Sequence, residues 1–299
     1  MKTRTKALLA FGGLVVLAVI VNLLVPSEGK NEEFQPQNEF KLDPWIPLEL
    51  GPFDMSINKA VLYLVLACAL TSAAMLYIAN RMQGRPNRVQ TAVEAAYDLA
   101  RNQISGSNMD SRMSLKWFPF VGTLFFFILF SNMIGYVPLP TNSEHTFSLF
   151  GLELPSFAIY AATANLSIPL MLTLMVWFAY HAEGVKAHGF VGYLKGWIPA
   201  GTPNRLKPVL FVIEVISQFV RIVSLSVRLF ANILAGHLLI LFMGGGLVVL
   251  LGLAALGVFT LPLAIIFFMF EIVLIAGLQA FIFATLTSIY LGAATAEGH

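Results

Sequence analysis

Arg228 lies inside residues 224–242, an apolar segment that is otherwise almost uninterrupted. A guanidinium group in hydrocarbon costs at least roughly 2.5–3.5 kcal/mol on insertion scales. Arginine cannot avoid that cost by losing its proton, because its guanidinium stays protonated in proteins. An ionisable residue in such a segment therefore marks a functional site by default, and ion or proton movement is the leading class of function.

Polar residues recur around this arginine at steps of three and four. The series is Glu214, Gln218, Arg221, Ser224 (or Leu225), Arg228 and Asn232. This spacing predicts one face of one helix, and a polar face of this length must meet protein or water rather than lipid. Helix association through polar contacts is the structural alternative, and Arg221 is expected to reach a membrane interface. Arg228 lies too deep for that. The carboxylate that balances the charge of Arg228 is expected to be Glu271 or, as the more specific hypothesis, a carboxylate on another subunit.

Two further ionisable residues could carry protons. Glu271 is the single carboxyl group in a run of hydrophobic residues; burial favours the neutral form of such a group, so that it can exchange a proton near neutral pH. His237 lies nine residues after Arg228 on roughly the opposite helix face, and by itself it is as readily a structural residue as a proton relay. On the arms of a hairpin turning at three glycines, residues 244–246, the two could meet and pass protons. A polar line that we interpret as pathway lining continues with Gln279, Thr285, Thr287 and Ser288.

The composition is that of a membrane protein. Hydrophobic residues make up 58% of the 299 residues and charged residues 11%, with a mean hydropathy of +0.78, whereas soluble domains carry about 25% charged residues. The net charge of +2 gives no indication of an acidic or nucleic-acid partner. The single cysteine, Cys68, lies in an apolar segment, which excludes a disulfide framework or a cysteine metal cluster. No metal and no cofactor is expected.

The apolar runs predict an all-α polytopic membrane protein with about five to six transmembrane helices, the last two long and steeply tilted as a hairpin. The runs are 7–25, 60–80, 118–138, 157–180, 208–243 and 247–292. The last two would be roughly 54 and 69 Å long as helices, against a hydrocarbon core of about 30 Å. The final run must therefore break near Pro262 or both must tilt, and the polar face favours tilt. Run 7–25 is interpreted as a retained span, with a signal peptide as the alternative.

Lysine and arginine predict the orientation. The loops in chain order carry 3 (1–6), 2 (26–56), 6 (81–117), 0 (139–156), 4 (181–208) and 0 (244–246) of these residues. Positive loops favour the cytoplasmic side. Both termini, 81–117 and 181–208 are therefore expected inside, and the acidic segment 26–56 and the uncharged turn at 244–246 outside. The predicted organisation is residues 1–56 as an N-terminal span and outside loop, 57–292 as the membrane domain, and 293–299 as a tail.

Four segments carry a resemblance to a known family. They are SLSVRLFANILAGHLL (224–239), LQAFIFATLTSIYL (278–291), SNMIGYVP (131–138) and TANLSIPLMLTL (163–174). They resemble subunit a of the F-type ATP synthase, and the similarity covers about residues 50–292. The N-terminal span and the acidic stretch after it fall outside the resemblance.

The resemblance implies a proton-translocating stator subunit of the membrane sector. Such subunits give two half-channels to the carboxylates of a rotating c-ring and so couple proton flow to ATP synthesis. The implied partners are the c-ring, the b-subunit of the peripheral stalk, other ATP synthase subunits and the lipid bilayer. The implied location is an energy-transducing membrane, the bacterial plasma membrane above all. Chemistry on ATP would belong to other subunits.

The resemblance also assigns residues. Arg228 matches the essential arginine, Asn232 its neighbouring asparagine, and Glu214 the membrane glutamate. His237 and Glu271 match a family arrangement in which histidine on the first arm accompanies an acid on the second. Supporting and pathway positions are Ser224, Asn165 and Gln279.

One spacing departs from the family pattern. Glu271 precedes Gln279 by eight residues, where the family's polar residue precedes that glutamine by seven. One residue is about 100° on a helix, so Glu271 points elsewhere unless a local bulge absorbs the extra residue.

The rival class is a stand-alone secondary transporter or ion channel with no ring partner. It predicts an inverted repeat with broken helices in both halves. The sequence has no such repeat. The choice between H⁺ and Na⁺ as coupling ion stays open, because the surroundings of the ring carboxylate would decide it.

Overall fold

The computed structural model describes residues 3–24, 40–50, 53–54, 56–82, 84–149, 152–199, 201–251 and 253–296. Most of the predicted acidic outside segment and the end of the predicted tail lie outside these ranges. Within them, five helices are long and apolar enough to cross a membrane, which confirms an all-α polytopic membrane protein. The chain divides into two compact units, described separately below.

The larger unit comprises residues 60–135, 161–233 and 276–299. Its helices are α2 (Lys59–Arg81), α3 (Arg88–Asp98, continued by a π-helical segment to Gly106), α4 (Ser111–Ile134), α5 (Ser167–His188), α6 (Phe190–Gly196), most of α7 (Lys207–Leu241) and α10 (Ala276–Thr295). α10 packs against α4 and α5. The alanines Ala276, Ala280 and Ala284 on α10 are fully buried, because small side chains let apolar helices approach closely.

The smaller unit comprises residues 1–59, 136–160 and 234–275. It holds α1 (Thr3–Leu24), β1 (Glu49–Leu50), β2 (Phe53–Asp54), β3 (Leu139–Leu149), β4 (Leu152–Ala158), the end of α7, α8 (Leu247–Leu251) and α9 (Gly257–Phe270). α1 is helical where a span was predicted, and its described apolar part covers Gly12–Leu24, shorter than the five long spans. Whether that segment is retained stays a prediction.

The predicted loop at 139–156 is a β-hairpin. β3 and β4 pair antiparallel, from Leu139 opposite Ala158 to Leu149 opposite Leu152, with two irregularities in register. This hairpin displaces the fourth span, predicted at 157–180, to Ser167–His188. The Asn165 side chain accepts a hydrogen bond from the Ser167 amide at 3.0 Å near the helix start. Gly189, with φ 71°, ends the helix, because glycine takes positive φ freely.

In the last third of the chain, the hairpin turns later than predicted, after α8 rather than at residues 244–246. α7 is one helix, as predicted, but residues 244–246 form a kink rather than the hairpin turn, with Gly245 at φ 173° and ψ −25°. α8 continues the arm to Leu251, and the Leu253 amide donates to the Val248 carbonyl at 3.2 Å where the chain reverses. Pro262 lies inside α9 without breaking it. The second arm then runs through a π-helical turn into α10.

Candidate functional site

Arg228 is exposed on the surface of α7. Leu225, Leu229 and Ile233 turn inward on the same helix, at 3%, 2% and 0% exposure, and they determine which face α7 buries. Ser224, Asn232 and Arg228 itself lie on the exposed side. Among the described residues of its unit, Arg228 has neither a hydrogen bond nor an ion pair. Its charge is therefore open to water or to a group from outside this unit.

The polar series on α7 is divided by the fold rather than forming one uniform face. Gln218 is buried and its amide donates to Glu214 Oε1 at 2.7 Å. Tyr180 on α5 donates to Gln218 Oε1 at 2.6 Å. Arg221 pairs with Glu214 Oε1 at 3.4 Å, and its reach to a membrane interface stays a prediction. Its guanidinium also lies 5.2 Å from the centre of the Tyr290 ring.

These residues line a cavity of about 420 Å³ in the larger unit. This volume is many times what a single water needs, so the cavity has room for several waters. Its wall combines polar groups of α7 with aromatic rings, among them Tyr180, Tyr193, Trp197, Glu214, Gln218 and Arg221. Tyr193 Oη lies 2.7 Å from His181 Nδ1. Burial raises the pKa of Tyr193, so its hydroxyl keeps its proton at neutral pH.

A second polar cluster lies in the smaller unit, around Glu271. Tyr136 donates a hydrogen bond from its hydroxyl to Glu271 Oε2 at 3.0 Å. The rings of Tyr136 and His237 lie 4.7 Å apart between centroids. All three side chains are buried, at 2% exposure for Tyr136, 3% for His237 and 6% for Glu271. His237 and Glu271, predicted to meet on two arms, therefore each contact the same tyrosine; proton transfer between them stays a prediction.

A π-helical turn begins at Glu271 and ends at Ile275. A π turn contains about one residue more than an α turn. This is the local bulge that the eight-residue spacing between Glu271 and Gln279 requires. Gly236, which precedes His237, faces the Glu271 carboxyl group so closely that a β-carbon there would overlap it. The π turn and this glycine together allow the carboxylate to lie against α7.

The polar line on α10 is partly structural. Gln279 is buried. The Thr287 hydroxyl donates to the Phe283 carbonyl at 2.8 Å, and the Ser288 hydroxyl donates to the Ile104 carbonyl at 2.9 Å. The first bond lies within α10 and the second joins α10 to the π-helical segment after α3, and pathway lining by these hydroxyls stays a prediction. Thr285 Oγ1 is buried with no partner among the described residues.

Sequence reasoning missed two tyrosines. Tyr136 lies within the quoted SNMIGYVP segment, and Tyr180 ends an apolar run. Both could have been found from the sequence as polar hydroxyls in apolar segments. A buried tyrosine usually has a hydrogen-bond partner, so such a residue indicates a polar group nearby. Tyrosine is also common at membrane interfaces, so this signal is weaker than that of Arg228.

Known proteins match the chain along most of its length. The family model described as ATP synthase A chain matches residues 61–292. A Rubrobacter xylanophilus protein named ATP synthase subunit a is 36% identical over 249 residues, which cover 82% of this chain and 87% of the relative. Proteins of the same name from Brucella ovis and Brucella canis are each 34% identical over 268 residues, 88% of this chain and 98% of theirs. With the five membrane-spanning helices, these matches show that the chain is a multi-pass membrane protein belonging to the ATP synthase A chain family.

Proposed function

We propose that this chain is the proton-translocating stator subunit of an ATP synthase membrane sector. It offers two half-channels to the carboxylates of a rotating c-ring, and it couples proton flow to ATP synthesis. The observation that carries the proposal is Arg228, a permanent cation exposed on an apolar helix with no ion pair among the described residues of its unit. A carboxylate passing on another subunit would supply the missing counter-charge.

The cavity beside Glu214, Gln218 and Arg221 supports an inner half-channel. Its wall includes residues of the 181–208 segment, which carries four basic residues. Positive loops favour the cytoplasmic side, so we assign the cavity to that side. A water-filled space lined by a carboxylate and an amide can conduct protons through hydrogen bonds.

The cluster of Tyr136, His237 and Glu271 supports an outer half-channel. Imidazole and carboxyl groups are the side chains that most often accept and release protons in proteins. The three residues lie in the unit that contains residues 244–246, a segment that carries no charge and is predicted outside. In sequence along α7, Arg228 comes after the cavity residue Glu214 and before His237. In the sequence of α7, Arg228 therefore lies between a residue of each proposed path.

The arginine would act on the ring carboxylate through its fixed charge. A cation beside a carboxyl group stabilises the ionised form, so the proton leaves into the exit path as the group passes. Because arginine does not deprotonate, it also blocks proton leakage between the two paths. The driving work is the membrane potential, worth about 2.3 kcal/mol per charge per 100 mV.

The proposed partners are the c-ring, the b-subunit of the peripheral stalk and the remaining ATP synthase subunits. The proposed location is the bacterial plasma membrane, with both termini cytoplasmic. Support comes from the bacterial relatives and from the loop charges.

Replacement of Arg228 tests the proposal. We expect Arg228→Ala to abolish ATP-driven proton pumping in inverted membrane vesicles, measured by quenching of a pH-sensitive dye, while the complex still assembles. Arg228→Lys should lose most pumping, because an ammonium lacks the planar fork and can shed its proton when desolvated. Arg101→Ala, an exposed arginine outside the spans, is the control and should pump normally. Normal pumping by an assembled Arg228→Ala complex would refute the proposed function.

A further inference from the structure

Tyr136 is a buried member of the cluster that supports the proposed outer half-channel, but proton exchange there is assigned only to His237 and Glu271. It lies two residues beyond the end of α4 and just before β3. Its hydroxyl donates a hydrogen bond to Glu271 Oε2 at 3.0 Å. The centre of its ring lies 4.7 Å from the centre of the His237 ring and 5.9 Å from that of Phe268, which it meets edge to face. It is thus a single side chain that touches both proton-exchanging groups of the cluster.

The tyrosine keeps its own proton. Burial raises the pKa of Tyr136 above its usual range, and the neighbouring Glu271 carboxylate raises it further. A phenol carries one hydrogen to donate, and that hydrogen is directed at Glu271 Oε2. The hydroxyl is therefore a standing donor at neutral pH rather than a group that releases protons into the path.

The tyrosine hydroxyl donates to a carboxylate whose movement is already restricted by close packing. Gly236 leaves just enough space for the Glu271 carboxyl group against α7. The hydrogen bond fixes the position of Oε2 and, because the carboxyl group is rigid, the position of Oε1 as well. The ring of Tyr136 lies tilted by 33° against the neighbouring imidazole of His237, so the same side chain also limits rotation of that ring.

We propose that Tyr136 is a positioning residue of the outer proton path, which holds the Glu271 carboxylate and the His237 imidazole in register for proton exchange. This inference rests on the proposed function, because only a proton-translocating subunit would transfer protons through this cluster. The exchanged proton moves between a nitrogen of His237 and the carboxyl group of Glu271, directly or through water, and the tyrosine hydroxyl retains its hydrogen.

The test uses the assembled complex in inverted vesicles, with pumping expressed per assembled complex. Tyr136→Phe removes the hydroxyl and keeps the ring, and we expect pumping to fall about tenfold, as for loss of a hydrogen bond to a charged group. In a Glu271→Gln background the same change should alter pumping less than twofold, because the carboxyl group that the hydroxyl positions is already lost. Tyr160→Phe is the matched control; Tyr160 is buried in the same unit beside Lys59, and its loss of a hydroxyl should leave pumping unchanged.

A donor-retaining variant separates positioning from packing. Replacement of Tyr136 with 4-aminophenylalanine keeps the ring and restores an N–H donor, and pumping should return to within twofold of the wild type. Normal pumping by Tyr136→Phe, a full additional loss in the Glu271→Gln background, or no recovery with the amino analogue would each overturn the inference. Failure of the proposed function is a separate result, seen as normal pumping by Arg228→Ala.

Discussion

Two arginines seven residues apart on α7 meet different surroundings. Arg221 is half-buried, pairs with Glu214 and lies over the Tyr290 ring. Arg228 is exposed and has neither an ion pair nor a hydrogen bond among the described residues of its unit. An ion pair held within one subunit is suited to a constant structural role, whereas an exposed charge is available to a moving partner. The contrast explains why only Arg228 is proposed to meet the ring.

Glu271 is held in place by a glycine as much as by a hydrogen bond. A β-carbon at Gly236 would overlap the carboxyl group itself, which is the far end of a flexible side chain. The fold can therefore absorb an alanine at this position by moving the carboxylate. That movement would break the hydrogen bond from Tyr136.

We predict that Gly236→Ala assembles normally but pumps protons several-fold more slowly than the wild type. The reason is displacement of the Glu271 carboxylate from its place beside α7. ATP-driven pumping in inverted vesicles measures the effect. Gly244→Ala is the control, since a β-carbon there meets nothing within 4 Å. Equal pumping by the two variants would show that the position of the carboxylate is unimportant.

At the scale of elements, Asn132 joins three segments of the larger unit. This residue of α4 is fully buried. Its amide nitrogen donates to the Ala276 carbonyl at the start of α10 at 3.2 Å, and its oxygen accepts from the Thr163 hydroxyl at 2.7 Å. Ala276 directly follows the π turn that begins at Glu271. The asparagine thus anchors the backbone at the point where the second arm returns to α-helical geometry.

We predict that Asn132→Ala lowers the stability of the complex by about 1–3 kcal/mol, the range for a buried hydrogen-bonding group left unsatisfied. The loss should appear as a lower dissociation temperature of the purified complex in detergent. Asn102→Ala provides the comparison, because the Asn102 amide bonds Asp98 within one helix at the exposed surface. If both variants dissociate at the wild-type temperature, Asn132 does not anchor these segments.

At the scale of the whole molecule, loop charge predicts which segments face the cytoplasm. The basic segment 81–117 is expected inside, and the uncharged turn between α8 and α9 outside. The native Cys68 lies on an apolar helix, and its replacement by serine gives a cysteine-free background for chemical labelling.

We predict that Leu253→Cys reacts with a membrane-impermeant maleimide added to intact cells, whereas Ser107→Cys reacts only in inverted vesicles. Both positions are exposed, Leu253 at the reversal of the chain and Ser107 after α3. Mass spectrometry of the labelled subunit measures the modification. The opposite pattern of labelling would reverse the assigned orientation and the assignment of the cavity to the cytoplasmic side.

Properties that depend on residues close together in the sequence could be predicted from the sequence alone. Apolar run length predicted the membrane class and the continuous helix α7, now observed as Lys207–Leu241. The SLSVRLFANILAGHLL and LQAFIFATLTSIYL segments indicated the family that the comparisons show. These predictions succeed because helix length, membrane partitioning and family motifs are local features of the chain.

Only the tertiary structure decided which groups meet. Helical periodicity placed Gln218 and Arg228 in one polar series, but packing buried the first and exposed the second. The bond from Tyr136 to Glu271 joins residues 135 positions apart, a separation at which no local pattern applies. The π turn at Glu271 likewise depends on how the second arm packs, because a single extra residue can be absorbed anywhere along a helix until its neighbours determine the place.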